Sequence, residues 1–114
     1  MSNDYVLAVD FGTQSVRTII YNDRGMEICK AKVPFNPYFS RNSGWAEQNP
    51  EVYWDSLVKA IGMLKEEYPL GFERIVAVGV TTIRDTITFI DKDNNILRPF
   101  IVWLDERECS RVED

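Results

Sequence analysis

Asp10 is the first residue with an evident capacity for chemistry, because it ends an apolar run that begins at Tyr5. A carboxylate is thereby placed at the end of a buried strand, and Gly12 allows a sharp turn directly after it. Carboxylate oxygens are ligands that Mg²⁺ accepts, often through the water molecules that the ion retains. Asp10 is therefore a candidate metal-binding residue. The alternative is a tight hairpin turn that holds no ligand.

The turn after Asp10 carries further polar groups at Thr13, Gln14 and Ser15. Backbone N–H groups and hydroxyls in such a turn can face the oxygen atoms of a phosphate. Arg17 follows with a planar, fork-shaped cation. We interpret this stretch as a phosphate-binding turn beside a metal ligand.

Arg84 and Asp85 form a second polar group, surrounded in the sequence by Thr81, Thr82 and Thr86. An arginine and an aspartate at a strand end offer charge-assisted donors and acceptors for the hydroxyls of a polyol. The alternative is an exposed ion pair without a function, which contributes ~0–1 kcal/mol.

Trp103 could complete such a site, since the apolar face of an indole can cover the carbon side of a polyol. Its alternative role is core packing. Asp105 and Glu106 are better interpreted as a helix cap followed by a first-turn acid.

The composition excludes several classes of protein. The 114 residues carry a net charge of −5 and include no histidine, which excludes histidine-dependent triads and argues against nucleic acid as a partner. Cys29 and Cys109 lack the spacing of a zinc site, and we expect both to be reduced thiols. The sequence contains neither a signal peptide nor a membrane span, so we expect a cytoplasmic protein without a membrane partner.

The first third of the chain reads as three antiparallel strands. Residues 5–9 and 16–21 are rich in β-branched and aromatic residues, and residues 26–35 alternate apolar with polar side chains. Residues 22–25 give a strong turn signal before the third strand. Residues 36–48 are rich in Asn, Pro, Ser and Gly, so we expect a loop there.

A crossover helix and a parallel strand are predicted next. Asn49 caps the helix, Pro50 takes its first position, and Pro69 and Gly71 end it. One apolar face is expected to contain Trp54, Leu57, Val58, Ile61, Leu64 and Tyr68. The nearly continuous apolar run at 75–80 predicts a central parallel strand that is buried on both faces.

The last third of the chain predicts two more strands, at 86–90 and 96–101, around a turn at 91–95. That turn imitates a calcium loop but lacks the glycine and the glutamate that such a loop requires. Residues 102–114 suggest the start of a helix, so we expect the chain to be a fragment of a longer protein.

Specific motifs add a resemblance to a known family. The Asp-x-Gly-Thr turn between two strands resembles the first phosphate-binding motif of the actin, Hsp70 and sugar-kinase superfamily, which has a ribonuclease H-like fold. The segments "GWAEQNPEVYW" (44–54), "GVTTIRDT" (79–86) and "RPFIVWLDER" (98–107) follow in order. Together they resemble the N-terminal domain of the FGGY family of carbohydrate kinases, and the resemblance assigns residues 1–114 to part of that domain. The resemblance implies an α/β fold with a mixed sheet.

The same resemblance implies roles for the polar residues. Asp10 would hold Mg²⁺ through water, and the phosphate path would be lined by Thr13, Gln14 and Arg17. Arg84 and Asp85 stand where glycerol kinase-like members carry an Arg-Glu pair for substrate hydroxyls, and Asp is one methylene shorter than Glu. Trp103 falls where those members pack a tryptophan on the substrate.

The activity implied is transfer of the ATP γ-phosphoryl group to a sugar or polyol hydroxyl. The resemblance places the catalytic base and most of the adenosine pocket beyond residue 114, so we expect these 114 residues alone to be inactive. A homodimer or tetramer of the full-length protein is possible.

Two other classes remain open at this point. A ribonuclease H-like nuclease would need Asp10 to approach Asp85 or Asp105 within ~4 Å so that two metals can be shared. A non-catalytic actin-like interaction module would leave the grouping of Arg84, Asp85 and Trp103 unexplained.

Overall fold

The computed structural model describes residues 3–108. Its elements, in chain order, are β1 (Tyr5–Phe11), β2 (Ser15–Tyr21), β3 (Glu27–Pro34), β4 (Glu47–Gln48), α1 (Pro50–Glu67), α2 (Pro69–Phe72), β5 (Ile75–Thr81) and β6 (Phe100–Ile101). Neither helix is long and apolar enough to cross a membrane.

The main sheet has the strand order β3-β2-β1-β5. β1 pairs antiparallel with β2, which pairs antiparallel with β3, whereas β5 pairs parallel with β1. The three antiparallel strands and the parallel crossover are thus confirmed. The pairing register sets Asp10 opposite Arg17 on one side and opposite Thr81 on the other.

The β2–β3 turn forms where the sequence predicts it. The Asn22 side-chain oxygen accepts hydrogen bonds from the backbone N–H groups of Arg24 and Met26, both at 2.9 Å. Gly25 has a φ of +75°, a conformation that glycine adopts without steric cost.

The core lies between one face of the sheet and α1. Alternate residues along the strands point toward the helix, as a half-covered sheet requires. The buried apolar residues of this core are Leu7, Val9, Val16, Ile20, Ala31, Val33, Ala60 and Leu64. Thr18 is also fully buried and satisfies its hydroxyl by donating to the carbonyl oxygen of Ala31 at 3.3 Å.

The buried face of α1 differs from the predicted one. Leu64 is buried as expected, but Trp54 and Val58 are exposed at 66% and 52%. The helix instead buries Tyr53 together with small residues such as Ala60, which let it lie close to the sheet. Because apolar residues occupy both neighbouring rows of the helix, periodicity alone could not choose between them.

The start of α1 agrees only partly with the prediction. Asn49 takes the cap position and Pro50 the first turn, but the Asn49 side chain makes no capping hydrogen bond. Its backbone N–H donates to the Gln48 side-chain oxygen at 3.1 Å, so the neighbouring residue supplies a polar contact at the helix start.

The parallel strand β5 is not buried on both faces, contrary to the prediction. In the described part of the chain it is an edge strand, and Val76, Val78 and Val80 are between 57% and 64% exposed. The physical reason is that α1 packs chiefly against β2 and β3, so only Ile75, at the start of β5, packs against the core.

Residues 36–48 contain more regular secondary structure than predicted, whereas residues 82–108 contain less. The expected loop contains β4, which pairs antiparallel with β6. The strands expected at 86–90 and 96–101 are reduced to the bridges Ile87–Ile101 and Ile90–Ile96 and to the short β6. The turn at 91–95 is confirmed.

The end of the described region also differs from expectation. Residues 103–104 and 107–108 form turns, and no helix begins within residues 102–108. Cys109 and the rest of the expected helix lie outside the described residues, whereas Cys29 is a free thiol.

The core makes a direct prediction about stability. Leu64→Ala should lower the free energy of unfolding by about 2–5 kcal/mol, because it empties a fully buried site between α1 and the sheet. The matched control is Leu70→Ala, at 67% exposure, which should cost less than about 1 kcal/mol. Urea denaturation of both variants checks this, and equal losses would contradict the described core.

Candidate functional site

Asp10 lies at the end of β1, between the ends of β2 and β5. Its Oδ2 accepts a hydrogen bond from Arg17 Nη2 at 3.1 Å, and its Oδ1 accepts one from Thr81 Oγ1 at 2.8 Å. The strand pairing produces both contacts, since it sets Arg17 and Thr81 opposite Asp10. The Asp10 side chain remains 42% exposed, so its oxygens keep lone pairs available to solvent.

The turn after Asp10 is closed by a hydrogen bond from Gly12 N–H to the Ser15 carbonyl oxygen at 2.8 Å. A Cβ atom on Gly12 would lie 3.2 Å from that same oxygen, so only glycine fits without a shift. The Gln14 carbonyl oxygen accepts from Phe35 N–H at 2.9 Å, which ties the turn to the end of β3.

A cleft of about 270 Å³ opens beside this turn. Its polar lining consists of Thr13, Arg84, Asp85 and Trp103, and Phe11 and Ile83 with Gly12 complete the wall. The structure therefore brings together four of the residues that the sequence singled out. Gln14 and Arg17 do not line this cleft, and Asp10 lies next to it through its neighbour Phe11.

Trp103 joins the two polar groups of the site. Its indole Nε1–H donates to Thr13 Oγ1 at 2.8 Å. Its backbone N–H lies 3.3 Å from Thr86 Oγ1, and the Thr86 hydroxyl donates to the Arg84 carbonyl oxygen at 3.4 Å. The indole is thus held between the turn at residues 12–15 and the Arg84 segment. Trp103 is 52% exposed, which does not match the alternative of simple core packing.

Arg84 and Asp85 are exposed side by side, yet no salt bridge joins them within residues 3–108. The alternative of an ordinary ion pair is therefore wrong for these two residues. Asp85 has a φ of +56°, an uncommon conformation for a residue other than glycine. Strain of this kind often accompanies functional sites.

A second, apolar pocket of about 250 Å³ shares Phe11 and Ile83 with the cleft. Tyr53 lines it, and the Tyr53 ring packs edge-to-face against Phe11, Phe35 and Phe100. Among residues 3–108 the Tyr53 hydroxyl is buried without a hydrogen-bond partner. This burial raises the pKa of Tyr53 to about 12.

Sequence reasoning missed a buried charge cluster centred on Glu47, although Glu47 lies in the motif segment 44–54 and its partners Arg98 and Arg107 lie in the segment 98–107. The fully buried Glu47 carboxylate accepts hydrogen bonds from Arg41 Nε at 2.6 Å and from Arg98 Nη2 at 2.7 Å. Arg107 Nη2 adds an ion pair at 3.4 Å. The hydrogen bond from Arg41 holds the pKa of Glu47 below its usual range, although burial acts in the opposite direction.

Asp105 belongs to the same cluster. Its carboxylate forms two hydrogen bonds with the Arg107 guanidinium, at 2.7 and 2.8 Å, and accepts the backbone N–H of Ala46 at 2.7 Å. Its Oδ1 also accepts the backbone N–H of Arg107 at 3.0 Å, which is the i+2 contact of a helix cap. The predicted helix extends into residues outside those described, so the cap stays a prediction. The Arg107 contacts lower the pKa of Asp105 to about 2. Arg107 in turn lies 4.0 Å above the ring of Trp45.

Comparison with known proteins gives the family. Residues 5–114 match the model of the FGGY family of carbohydrate kinases, N-terminal domain. The chain belongs to this family. Its FGGY membership confirms the resemblance drawn from the motifs and agrees with the mixed α/β fold.

Individual FGGY relatives agree with this assignment. The chain is 33% identical to a glycerol kinase of Mycoplasma genitalium over 111 residues, which are 96% of the chain and 22% of the relative. It is 36% identical to a glycerol kinase of Thermococcus gammatolerans over 110 residues, with the same coverage. A crystal structure of a xyloylose kinase from Brucella ovis superposes with a TM-score of 0.88 at 25% identity, covering 95% of the chain and 23% of the other protein. The FGGY chain thus spans about a fifth of the length of these relatives.

The nuclease alternative is not supported for this FGGY chain. The described residues contain no group of three potential metal ligands. Asp10 is engaged by Arg17 and Thr81, whereas Asp105 is engaged by Arg107. A two-metal nuclease needs clustered carboxylates, and these are held apart by different partners.

The Asp105 contacts predict a pH dependence of stability. Because the folded pKa lies near 2, below the unfolded value of about 3.8, Asp105 stabilises the fold fully above that unfolded value and loses its contribution as the pH falls toward 2. The shift corresponds to about 2 kcal/mol. Asp105→Asn should therefore be less stable than the wild type at pH 7, and the difference should shrink between pH 4 and pH 2. Thermal unfolding across this range checks it, and a pH-independent difference would contradict the described pair.

The unpartnered Tyr53 hydroxyl gives a second prediction. Tyr53→Phe removes a buried polar group that has no hydrogen bond, so the free energy of unfolding should rise by about 1 kcal/mol. Tyr38→Phe is the matched control and should change this free energy by less than about 0.5 kcal/mol, because the Tyr38 side chain is 43% exposed and its hydroxyl can hydrogen-bond to water. Urea denaturation measures both. A loss of stability in Tyr53→Phe would mean that a water molecule from the adjoining pocket bonds the hydroxyl.

Proposed function

We propose that the whole protein is an ATP-dependent carbohydrate kinase that phosphorylates a hydroxyl of a sugar or polyol, and that these residues supply its substrate-binding part. The observation that carries the proposal is the cleft in which Thr13, Arg84, Asp85 and Trp103 meet, in a chain of the FGGY family. The relatives named above are glycerol kinases and a xyloylose kinase, which supports a small polyhydroxylated substrate.

The substrate would lie between Arg84, Asp85 and Trp103. The Arg84 guanidinium donates and the Asp85 carboxylate accepts, so a pair of neighbouring hydroxyls can be bound by charge-assisted hydrogen bonds. Because the two side chains do not pair with each other, neither must break a salt bridge to bind substrate. The Trp103 side chain is half-exposed at the same cleft and offers an apolar surface to the carbon backbone.

The phosphate path would run along the turn after β1. The Thr13 hydroxyl accepts from Trp103 and therefore keeps its own proton free for a phosphate oxygen. Gln14 has an exposed side chain on the same turn, and Arg17 brings a cation that balances charge developing during transfer. In this proposal these residues position the transferred group and take no part in proton transfer.

Mg²⁺ fits Asp10 as an ion held through water. Each oxygen of the Asp10 carboxylate already accepts one hydrogen bond, and the side chain is part-exposed next to the cleft. This donor set suits an ion that keeps most of its own water shell. When bound, the metal would neutralise negative charge on the phosphates of ATP. The hydrogen bonds to the substrate hydroxyls and the packing of Trp103 on the substrate do not depend on this metal ion.

Proton transfer from the attacking hydroxyl needs a carboxylate base. Asp85 is assigned here to hydroxyl binding, so the base and the adenosine pocket are assigned to the part of the protein outside these residues. Residues 1–114 alone would then bind a polyol weakly and transfer no phosphate. A homodimer or tetramer of the whole protein is compatible with this arrangement.

The proposal is tested by ADP release from ATP and Mg²⁺ by the whole protein, across glycerol, tetritols, pentuloses, hexuloses and sugar acids. One compound should stimulate release, and Arg84→Ala should reduce kcat/KM for it about 100-fold, because a charge-assisted contact is lost. Arg24→Ala, in the β2–β3 turn away from the cleft, is the matched control and should change kcat/KM less than about twofold.

If no compound stimulates ADP release, the protein is not a carbohydrate kinase of these classes. If release is stimulated but Arg84→Ala is as active as Arg24→Ala, the kinase assignment stands and the cleft is not its substrate site.

A further inference from the structure

The Glu47 cluster ties together two parts of the chain that are far apart in sequence. Glu47 belongs to β4, just before α1, whereas Arg98 and Arg107 belong to the segment that contains Trp103. Arg98 lies five residues before Trp103 and Arg107 four residues after it. The buried carboxylate therefore holds this segment on both sides of the indole.

Backbone hydrogen bonds also join the residues around Glu47 to the segment that contains Trp103. β4 pairs with β6, and Val102 N–H donates to the Ala46 carbonyl oxygen at 2.9 Å. Glu106 N–H donates to the Gly44 carbonyl oxygen at 2.7 Å. Val102, the neighbour of Trp103, is buried at 1% exposure. The segment is thus held by backbone hydrogen bonds at Val102 and Glu106, on either side of Trp103.

From this geometry we infer that Glu47 is a positioning residue, which acts through Arg98 and Arg107 to hold Trp103 over the substrate cleft. The inference deepens the proposed function and rests on it. Glu47 itself does not line the cleft, so it would touch neither substrate nor phosphate. Its effect would be to keep the indole where its Nε1–H meets Thr13 and its face covers the substrate.

The negative charge of Glu47 determines which side chains surround it. A fully buried carboxylate is costly to leave without partners, so Glu47 retains the guanidinium groups that surround it. Arg98 reaches Glu47 from the Trp103 segment, whereas Arg41 reaches it from the preceding loop and does not bear on Trp103. Comparing variants of these two arginines therefore separates a positioning role of Glu47 from a simple contribution to stability.

The experiment compares Arg98→Gln with Arg41→Gln in the whole protein. Each variant removes one guanidinium from Glu47 and leaves two others in place. Arg98→Gln should raise KM for the stimulating polyol about tenfold while kcat changes less than about threefold, because ground-state contact with the indole is lost. Arg41→Gln should raise KM less than about threefold. Glu47→Gln should behave as Arg98→Gln where it folds.

A double-mutant cycle with Trp103→Phe tests whether Arg98 acts through the indole. If it does, adding Arg98→Gln to Trp103→Phe should raise KM by less than about twofold beyond Trp103→Phe alone. Full additivity of the two effects would overturn the inference, as would equal KM changes in Arg98→Gln and Arg41→Gln.

A measurement that needs no turnover keeps this inference separate from the proposed function. In protein labelled with 5-fluorotryptophan, the ¹⁹F resonance of Trp103 is assigned by its loss in Trp103→Phe. Arg98→Gln should shift or broaden this resonance and Arg41→Gln should not. If the wild type phosphorylates no polyol, the kinase proposal fails while the ¹⁹F comparison still decides whether the cluster positions Trp103. An unchanged resonance in Arg98→Gln overturns the positioning role.

Discussion

The pairing of β1 with β2 on one side and β5 on the other is the constraint on which the site depends. β1 ends at Phe11, and its neighbours set Arg17 and Thr81 opposite Asp10 by strand register alone. A shift of one residue in either pairing would turn these side chains to the opposite face of the sheet. The position of the Asp10 carboxylate is therefore a property of the sheet, and the turn at Gly12 begins from a rigid point.

The cleft has a second wall that is organised in a different way. Residues 82–108 contain little regular structure. They are held to residues 41–47 by the short β4–β6 pairing and by the buried carboxylates of Glu47 and Asp105 with their arginine partners. Where a segment has few ladder hydrogen bonds, such charge-assisted contacts supply the geometric precision that strands supply elsewhere. The two walls then meet in the contact between Trp103 and Thr13.

Sequence patterns predicted the parts of the fold that local periodicity determines. The three antiparallel strands, the helix from Pro50 and the parallel strand are all present. The helix face was misassigned at Trp54 and Val58 because packing against the sheet, which favours small side chains, decided between two apolar rows. The motifs pointed to the polar residues that the cleft brings together. Glu47 lies in the motif segment 44–54 and Arg98 in the segment 98–107, but no local pattern joins them. Arg41 and Arg98 lie 6 and 51 residues from Glu47, and only the tertiary fold brings the three together.

The contact between Trp103 and Thr13 also bears on the order in which the two walls form. Asp10 and Arg17 are seven residues apart, so the turn at residues 12–15 closes with a β-hairpin, and hairpins generally form in about 1–10 μs. The Trp103–Thr13 contact spans 90 residues and must overcome a larger loop-closure entropy. Contacts of such high sequence separation form late in folding and slow it. Loop-closure entropy therefore favours closing the turn at Gly12 before the contact between Trp103 and Thr13.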